Sequence, residues 1–186
     1  VSAVSIHAYP EIAENYALMN CGASMGEGYG PMIVAKQGVS EEEAKSSPIA
    51  VPGLKTSAYL GIRLCWGDLQ YEVVPFDEII PRILDDTYKS GLIIHEGQLT
   101  YVDHDLNVLA NLGIWWNEKT GGLPMPLGGN VVRRDLGQKM MEDITMYTKM
   151  SIEHSIANPD TALEFAKKWG RGIDDDTNRE FVTMYV

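Results

Sequence analysis

Short apolar segments alternate with helical segments along most of this sequence. The strand-like segments are rich in Val, Ile and Ala, as in Pro31–Ala35, Ile49–Val51 and Gly91–Ile94. The segments between them carry apolar residues at helical spacing and begin at capping signals such as Ser40-Glu-Glu-Glu43. Alternation of this kind predicts an α/β protein in which helices are layered on a sheet.

The chain is long enough for one or two hydrophobic cores, since 45% of its 186 residues are hydrophobic. We interpret residues 1–186 as a single two-lobed domain. The Pro- and Gly-rich stretches near residues 48–53 and 121–129 are interpreted as strands that pass between the lobes. This places the second lobe at approximately residues 53–122 and assigns the remainder to the first lobe and the hinge.

A glycine-rich segment, Gly22-Ala-Ser-Met-Gly-Glu-Gly-Tyr-Gly30, lies between two predicted strands. So many glycines predict a loop with positive φ angles, or one that another group approaches closely. The segment matches a GxGxxG loop only loosely and no helix follows it, so a dinucleotide site is not favoured.

Two histidines follow predicted strands. His95 comes directly after Gly91–Ile94, at the carboxyl end of a strand, where open α/β sheets place their ligands. A neutral imidazole can accept a proton near neutral pH, so His95 is a candidate general base. His7 also ends a strand and could line the same cleft. A hydrogen-bonded core histidine would give the same pattern at either position.

The segment Gly53-Leu-Lys-Thr-Ser-Ala58 precedes an apolar helix. Thr56 or Ser57 is a suitable N-cap, and the first turn of a helix offers free N–H groups at the positive end of its dipole. Such a helix start can bind a carboxylate or phosphate through backbone and hydroxyl donors. An ordinary cap that faces solvent is the alternative.

The formal charge of −11 and the pI of about 4.7 constrain the partners. We expect neither nucleic acid nor an anionic membrane surface as a partner, because no basic stripe is present. No run approaches the roughly 18 apolar residues that a membrane helix needs. Because the whole chain is negatively charged, an anionic ligand would have to be attracted by local backbone donors.

Cysteine and acidic residues give no sign of a metal site. Cys21 and Cys65 are the only cysteines, and neither they nor the histidines have metal-ligand spacing. Two buried thiols in a reducing cytosol are the simplest interpretation, although a disulfide stays open. We predict no metal and no cofactor.

The termini favour an internal fragment of a cytoplasmic protein. Val1 opens directly into a strand-like run, so no signal peptide is recognised, and the initiating Met is missing. The last residues, Phe181 to Val186, stop in the middle of a pattern. The sequence makes no prediction about oligomeric state.

Several motifs together resemble the 1,4-dihydroxy-6-naphthoate synthase family. They occur in the order expected for that family and run along nearly the whole chain. The IIHEGQ motif, which contains His95, is the most specific of them. The quoted segments are Ser5-Ile-His-Ala-Tyr9, Gly22-Ala-Ser-Met-Gly-Glu-Gly-Tyr-Gly-Pro31, Pro52-Gly-Leu-Lys-Thr-Ser-Ala-Tyr59, Gly91-Leu-Ile-Ile-His-Glu-Gly-Gln98, Leu123-Pro-Met-Pro-Leu-Gly128 and Arg133-Arg-Asp-Leu-Gly137.

The resemblance implies a fold, a reaction and a set of site residues. The fold is periplasmic-binding-protein-like, with two α/β lobes and a ligand cleft between them, and with part of the first lobe missing from this chain. The implied reaction belongs to the futalosine pathway of menaquinone biosynthesis. In it, a lyase converts cyclic dehypoxanthine futalosine to 1,4-dihydroxy-6-naphthoate. His95 is the implied base. The implied contacts to a small-molecule carboxylate substrate are Ser5, Ile6, His7, Ser57 and Ala58, to which we add Thr56 and Gln98.

Two other functions stay open. Chorismate dehydratase shares the fold and the pathway and also acts on a carboxylate, but the His95-Glu-Gly-Gln98 segment favours the synthase. A non-catalytic solute-binding protein of a transporter would also have this fold.

Overall fold

The computed structural model describes residues 1–94 and 97–168. Within this part of the chain, two compact units can be distinguished. The first unit comprises residues 1–4, 9–24 and 128–168, and the second comprises residues 5–8 and 25–127. The second unit is wider than the 53–122 suggested for a second lobe, because the strands before residue 53 pair into its sheet.

A five-stranded mixed sheet forms the centre of the second unit. Its strands are β4 (Met32–Lys36), β5 (Ile49–Val51), β6 (Tyr71–Val73), β7 (Ser90–Ile93) and β8 (Leu106–Asn111). They are ordered β6-β5-β7-β4-β8. Strand β5 is parallel to β6 and β7, whereas β4 runs antiparallel to β7 and β8. The predicted α/β class is therefore confirmed, with antiparallel pairs that the alternation pattern did not indicate.

Both faces of this sheet are covered, which explains why its strands read as continuous apolar runs. Because neighbouring residues of a strand point to opposite faces, Ile33 packs into one core cluster and Val34 into the other. Leu92 and Ile93 divide in the same way. Helices α3 (Ser57–Trp66) and α6 (Leu112–Thr120) contribute to the first cluster, and α4 (Ile79–Leu84) contributes to the second.

The helices of the second unit begin at signals that the sequence shows. They are α2 (Glu41–Lys45), α3 (Ser57–Trp66), α4 (Ile79–Leu84), α5 (Gly97–Thr100) and α6 (Leu112–Thr120), with 3₁₀ turns at Ile6–Ala8, Phe76–Glu78 and Tyr101–His104. The predicted capping box is confirmed, because Ser40 and Glu43 cap each other's backbone N–H groups at α2. Thr56 is confirmed as the N-cap of α3.

The first unit contains a smaller sheet and the long helix α7. Its elements are β1 (Ser2–Ser5), α1 (Tyr9–Ile12), β2 (Tyr16–Leu18), β3 (Ser24–Gly26), β9 (Met125–Arg133), a 3₁₀ turn at Arg134–Leu136, α7 (Gln138–Ala157) and α8 (Pro159–Lys167). Residue 5 of β1, residues 25–26 of β3 and residues 125–127 of β9 fall within the second unit. The strand order is β1-β9-β2, and β3 also pairs with β9. Strands β2 and β9 are antiparallel, with Ala17 opposite Val132.

The glycine-rich segment has the backbone properties predicted for it, but it is not a loop throughout, because Ser24–Gly26 form strand β3. Gly22 and Gly28 adopt φ angles of 71° and 74°, a region that L-residues with side chains rarely occupy. Gly30 meets the second condition, since a Cβ added there would lie 2.9 Å from the backbone nitrogen of Gly113. No helix within residues 1–94 and 97–168 combines the length and the apolar character needed to cross a membrane.

Candidate functional site

Two segments that are distant in sequence meet at the start of helix α3. His7 lies in the 3₁₀ turn Ile6–Ala8, and its ring Nδ1 is 3.1 Å from the carbonyl oxygen of Thr56. The backbone N–H of His7 donates to Oγ of Ser57 over 3.4 Å. These two hydrogen bonds hold the imidazole against the first residues of α3, so the structure brings together three of the predicted site residues.

Both hydroxyl groups at this helix start donate to backbone carbonyls. Thr56 donates to the carbonyl of Gly53 over 2.8 Å, and Ser57 donates to the carbonyl of Leu127 over 2.5 Å. Since a hydroxyl carries one proton, neither group has a second proton to give to an anion. The hydroxyls that the sequence suggested as anion donors therefore serve to fix the backbone in this structure.

Backbone N–H groups are the remaining donors of this helix start. The N–H of Tyr59 donates to Oγ1 of Thr56, and that of Leu60 donates to the Thr56 carbonyl. Within the described part of the chain, no hydrogen bond uses the N–H of Ser57 or of Ala58. Both residues are buried. Two N–H groups at the positive end of a ten-residue helix suit a carboxylate.

Leu127 is a member of this group that sequence reasoning missed. Its carbonyl accepts the Ser57 hydroxyl, so strand β9 helps to fix the helix start. The Leu123-Pro-Met-Pro-Leu-Gly128 segment marks this strand in the sequence, but a contact made by a carbonyl oxygen leaves no side-chain signal.

The hydroxyl of Thr56 should stabilise the fold measurably, which a substitution can test. In Thr56→Ala, we expect the free energy of unfolding to fall by about 1 kcal/mol, because the N-cap bond to Tyr59 is lost. Thr56→Ser is the matched control, since it keeps the hydroxyl and should unfold close to the wild type. Urea denaturation followed by circular dichroism measures both. Equal stability of Thr56→Ala and Thr56→Ser would show that the Thr56 hydroxyl does not stabilise the fold.

The other predicted site residues lie in separate elements or outside the described residues. Ser5 ends β1 and Ile6 begins the 3₁₀ turn that carries His7, and both are half-buried. Gln98 lies in α5 and is 4% exposed. His95 lies outside the described residues, although strand β7, predicted to precede it, is present at Ser90–Ile93.

The thiol of Cys65 is not activated as a nucleophile. Cys21 and Cys65 are both free and partly buried, so they are less buried than the sequence suggested. Burial raises the pKa of the Cys65 thiol, and the negative charge of Glu41 adds to this effect. The thiolate is therefore disfavoured. Among the residues that the structure describes, no three His, Cys, Asp or Glu side chains could hold a metal ion together.

Comparison with solved structures defines the fold class. A Candida albicans protein that shows the generic periplasmic binding protein fold superposes with a TM-score of 0.65 at 11% identity, over 98% of this chain and 62% of that protein. The ligand-binding component of an ABC-type import system from Staphylococcus aureus gives 0.65 at 12% identity, over 97% of this chain and 64% of that protein. Identities this low carry the fold alone. The chain has a periplasmic-binding-protein-like fold, as predicted.

Sequence comparison then defines the family. The sequence profile of the menaquinone biosynthesis family matches residues 1–186, and the chain belongs to that family. Two curated relatives are 1,4-dihydroxy-6-naphthoate synthases, from Thermus thermophilus (32% identical over 183 residues) and Streptomyces coelicolor (30% over 189 residues). Each alignment covers 98% of this chain and 66% of the relative. The chain thus spans slightly less than two thirds of these relatives.

A solved relative is also similar to this chain in sequence. The sequence of a protein from Archaeoglobus fulgidus is 42% identical to that of this chain, and its crystal structure superposes on this chain with a TM-score of 0.92. The superposition covers 99% of this chain and 68% of the Archaeoglobus protein. The two chains therefore share one fold.

Proposed function

We propose that this chain is part of a 1,4-dihydroxy-6-naphthoate synthase that acts in menaquinone biosynthesis. The observation that supports the proposal most strongly is the match of the family profile to the whole chain, together with the two curated synthases at 32% and 30% identity. The proposed substrate is cyclic dehypoxanthine futalosine, and the proposed class is a carbon–carbon lyase. Such a biosynthetic enzyme would work in the cytoplasm.

The proposed mechanism begins with proton abstraction by His95. Cleavage of a C–C bond in a retro-aldol-like step then opens the spiro-fused sugar. The sugar-derived fragment leaves with the new carbonyl group, the electron pair of the broken bond stays with the ring, and the new ring becomes aromatic. The gain in aromaticity drives the reaction, so the proposed chemistry calls for a base and no redox cofactor. The role of His95 rests on the IIHEGQ motif.

The described residues support a carboxylate-binding role for the start of α3. The Ser57 and Ala58 N–H groups lie at the positive end of a helix dipole and are held in place by capping bonds. In a chain with a charge of −11, attraction at contact range is needed to overcome the general repulsion of an anion. We propose that these N–H groups bind the substrate carboxylate, with Ser5, Ile6, His7, Thr56 and Gln98 lining the remainder of the site.

The test is turnover by the full-length protein that contains this chain. The protein is incubated with cyclic dehypoxanthine futalosine, and the naphthoate product is followed by its fluorescence and identified by mass. We expect product that increases in proportion to enzyme concentration. Chorismate is tested in parallel. Absence of the naphthoate product would refute the proposal, and consumption of chorismate would then favour a dehydratase.

A further inference from the structure

The contact between His7 and Thr56 determines where the imidazole carries its proton. A backbone carbonyl can only accept a hydrogen bond, so the ring nitrogen 3.1 Å from the Thr56 oxygen must donate. In the neutral ring, Nδ1 is then protonated and Nε2 has a free lone pair. The contact at Nδ1 alone therefore fixes the tautomer of the neutral ring.

The ring is also fixed in position. The backbone N–H of His7 is bound by Oγ of Ser57, which is itself held by the Leu127 carbonyl. His7 is half-buried in this arrangement. Among residues 1–94 and 97–168, no hydrogen bond reaches Nε2, and that atom is not among the buried polar atoms that lack a partner. Within the described residues the Nε2 lone pair is therefore left unused, and the Nδ1 bond to Thr56 sets its direction.

The start of α3 offers hydrogen-bond donors, whereas the imidazole of His7 offers an acceptor. The N–H groups of Ser57 and Ala58 are donors and suit a carboxylate, whereas an unprotonated Nε2 repels carboxylate oxygens and suits an O–H donor. A ligand that carries both a carboxylate and a hydroxyl matches this pair of groups. The 1,4-dihydroxy-6-naphthoate in the names of the curated relatives has both.

We infer that His7, with its proton on Nδ1, uses Nε2 to accept a hydrogen bond from a hydroxyl group of the ligand, and so selects hydroxylated carboxylates over those without a hydroxyl. This inference rests on the proposed function. It assigns His7 to recognition of the hydroxyl and leaves the carboxylate to the backbone N–H groups of α3.

The first measurement addresses the imidazole directly. In the full-length protein without ligand at pH 8, long-range ¹⁵N–¹H correlation spectra of the His7 ring should show a protonated Nδ1 and an unprotonated Nε2. A ring protonated on Nε2, or on both nitrogens, would overturn the inference. This result does not depend on the proposed reaction.

The second measurement compares two probes and one variant. The probes are 1,4-dihydroxy-6-naphthoate, kept anaerobic, and naphthalene-2-carboxylate, which has the same ring and carboxylate but no hydroxyl. His7→Asn retains an amide N–H able to reach the Thr56 carbonyl and removes the acceptor at the Nε2 position. We expect the Kd of the dihydroxy probe to rise about tenfold, as for one lost hydrogen bond, and that of naphthalene-2-carboxylate to stay unchanged.

Each other outcome has a definite meaning. Equal weakening of both probes would show that His7 binds the carboxylate, and no weakening would show that it does not contact the ligand, so either result overturns the inference alone. Failure of the wild-type protein to bind either probe overturns the inference and the proposed function together. Thermal melting of His7→Asn close to that of the wild type excludes misfolding as the cause of a change in Kd.

Discussion

Replacing Gly113 with Ala should destabilise the protein by about 3 kcal/mol or more, at the upper end of the usual cost of overpacking a core. Gly113 lies in the first turn of α6, where a Cβ would stand 2.0 Å from the carbonyl oxygen of Tyr29 and 2.6 Å from the backbone nitrogen of Gly30. Both are backbone atoms, so no side chain can rotate away to make room.

The contact at Gly113 is held from several sides, which is why relaxation should be costly. The N–H of Leu112 donates to the Pro31 carbonyl over 2.9 Å, and the Asn111 side chain accepts from the N–H of Gly113 over 3.0 Å. A shift of α6 away from Tyr29 would therefore break bonds at the helix start. Gly113 has no positive φ angle, so space rather than backbone conformation is what requires glycine here.

Gly97→Ala is the matched control for this prediction. Gly97 also lies in the first turn of a helix of the second unit, but a Cβ there would meet its nearest neighbours at 3.5 and 3.6 Å, an ordinary van der Waals distance. We expect its free energy of unfolding to stay within about 1 kcal/mol of the wild type. Urea unfolding of Gly113→Ala and Gly97→Ala measures the free energy of unfolding of each variant. Similar midpoints for both would show that the Tyr29–Gly30 backbone yields easily.

Local signals explain what the sequence predicted about the fold. The strands β5 and β7 were recognisable because each is buried on both faces, so burial alone leaves an apolar run. The Ser40–Glu43 capping box and the Thr56 cap were recognisable because donor and acceptor lie three residues apart. Each of these signals is contained within a few neighbouring positions.

Elements that depend on distant partners were harder to predict. Strand β8 has an irregular register against β4, with a shift between Ile33 and Val34, so its side chains do not follow a clean alternation. Strand β9 begins at Met125 and continues through Pro126, although proline normally argues against a strand. The stretch near residues 121–129 is interpreted as a strand from the sequence, but the sequence does not show which segments pair with it. Both strands are defined by pairing with segments far away in the sequence.

The candidate site shows the same division. His7 and the α3 cap were each identified from their neighbours, but the hydrogen bond that joins them spans 49 positions. Sequence reasoning treated the Thr56 and Ser57 hydroxyls as donors to a ligand, since nothing local shows that they donate to Gly53 and Leu127. The tautomer of His7 follows from geometry alone.

Replacing His95 with Ala in the full-length protein should lower kcat by about 100- to 10,000-fold, the usual contribution of a positioned general base. The expected change in KM is small, because the carboxylate and hydroxyl contacts assigned above involve other residues. His104→Ala is the matched control: it removes an exposed histidine of the 3₁₀ turn Tyr101–His104 and should leave both constants unchanged. Steady-state rates of naphthoate formation give kcat and KM for each protein.

Comparison with His7→Asn makes this prediction specific. If His95 is the base and His7 recognises the hydroxyl, His95→Ala reduces kcat while the dihydroxy probe still binds, and His7→Asn mainly weakens binding. The unprotonated Nε2 of His7 could itself accept a proton, so the opposite result is chemically meaningful. A kcat within about tenfold of the wild type in His95→Ala, together with a much larger loss in His7→Asn, would assign the base to His7 instead.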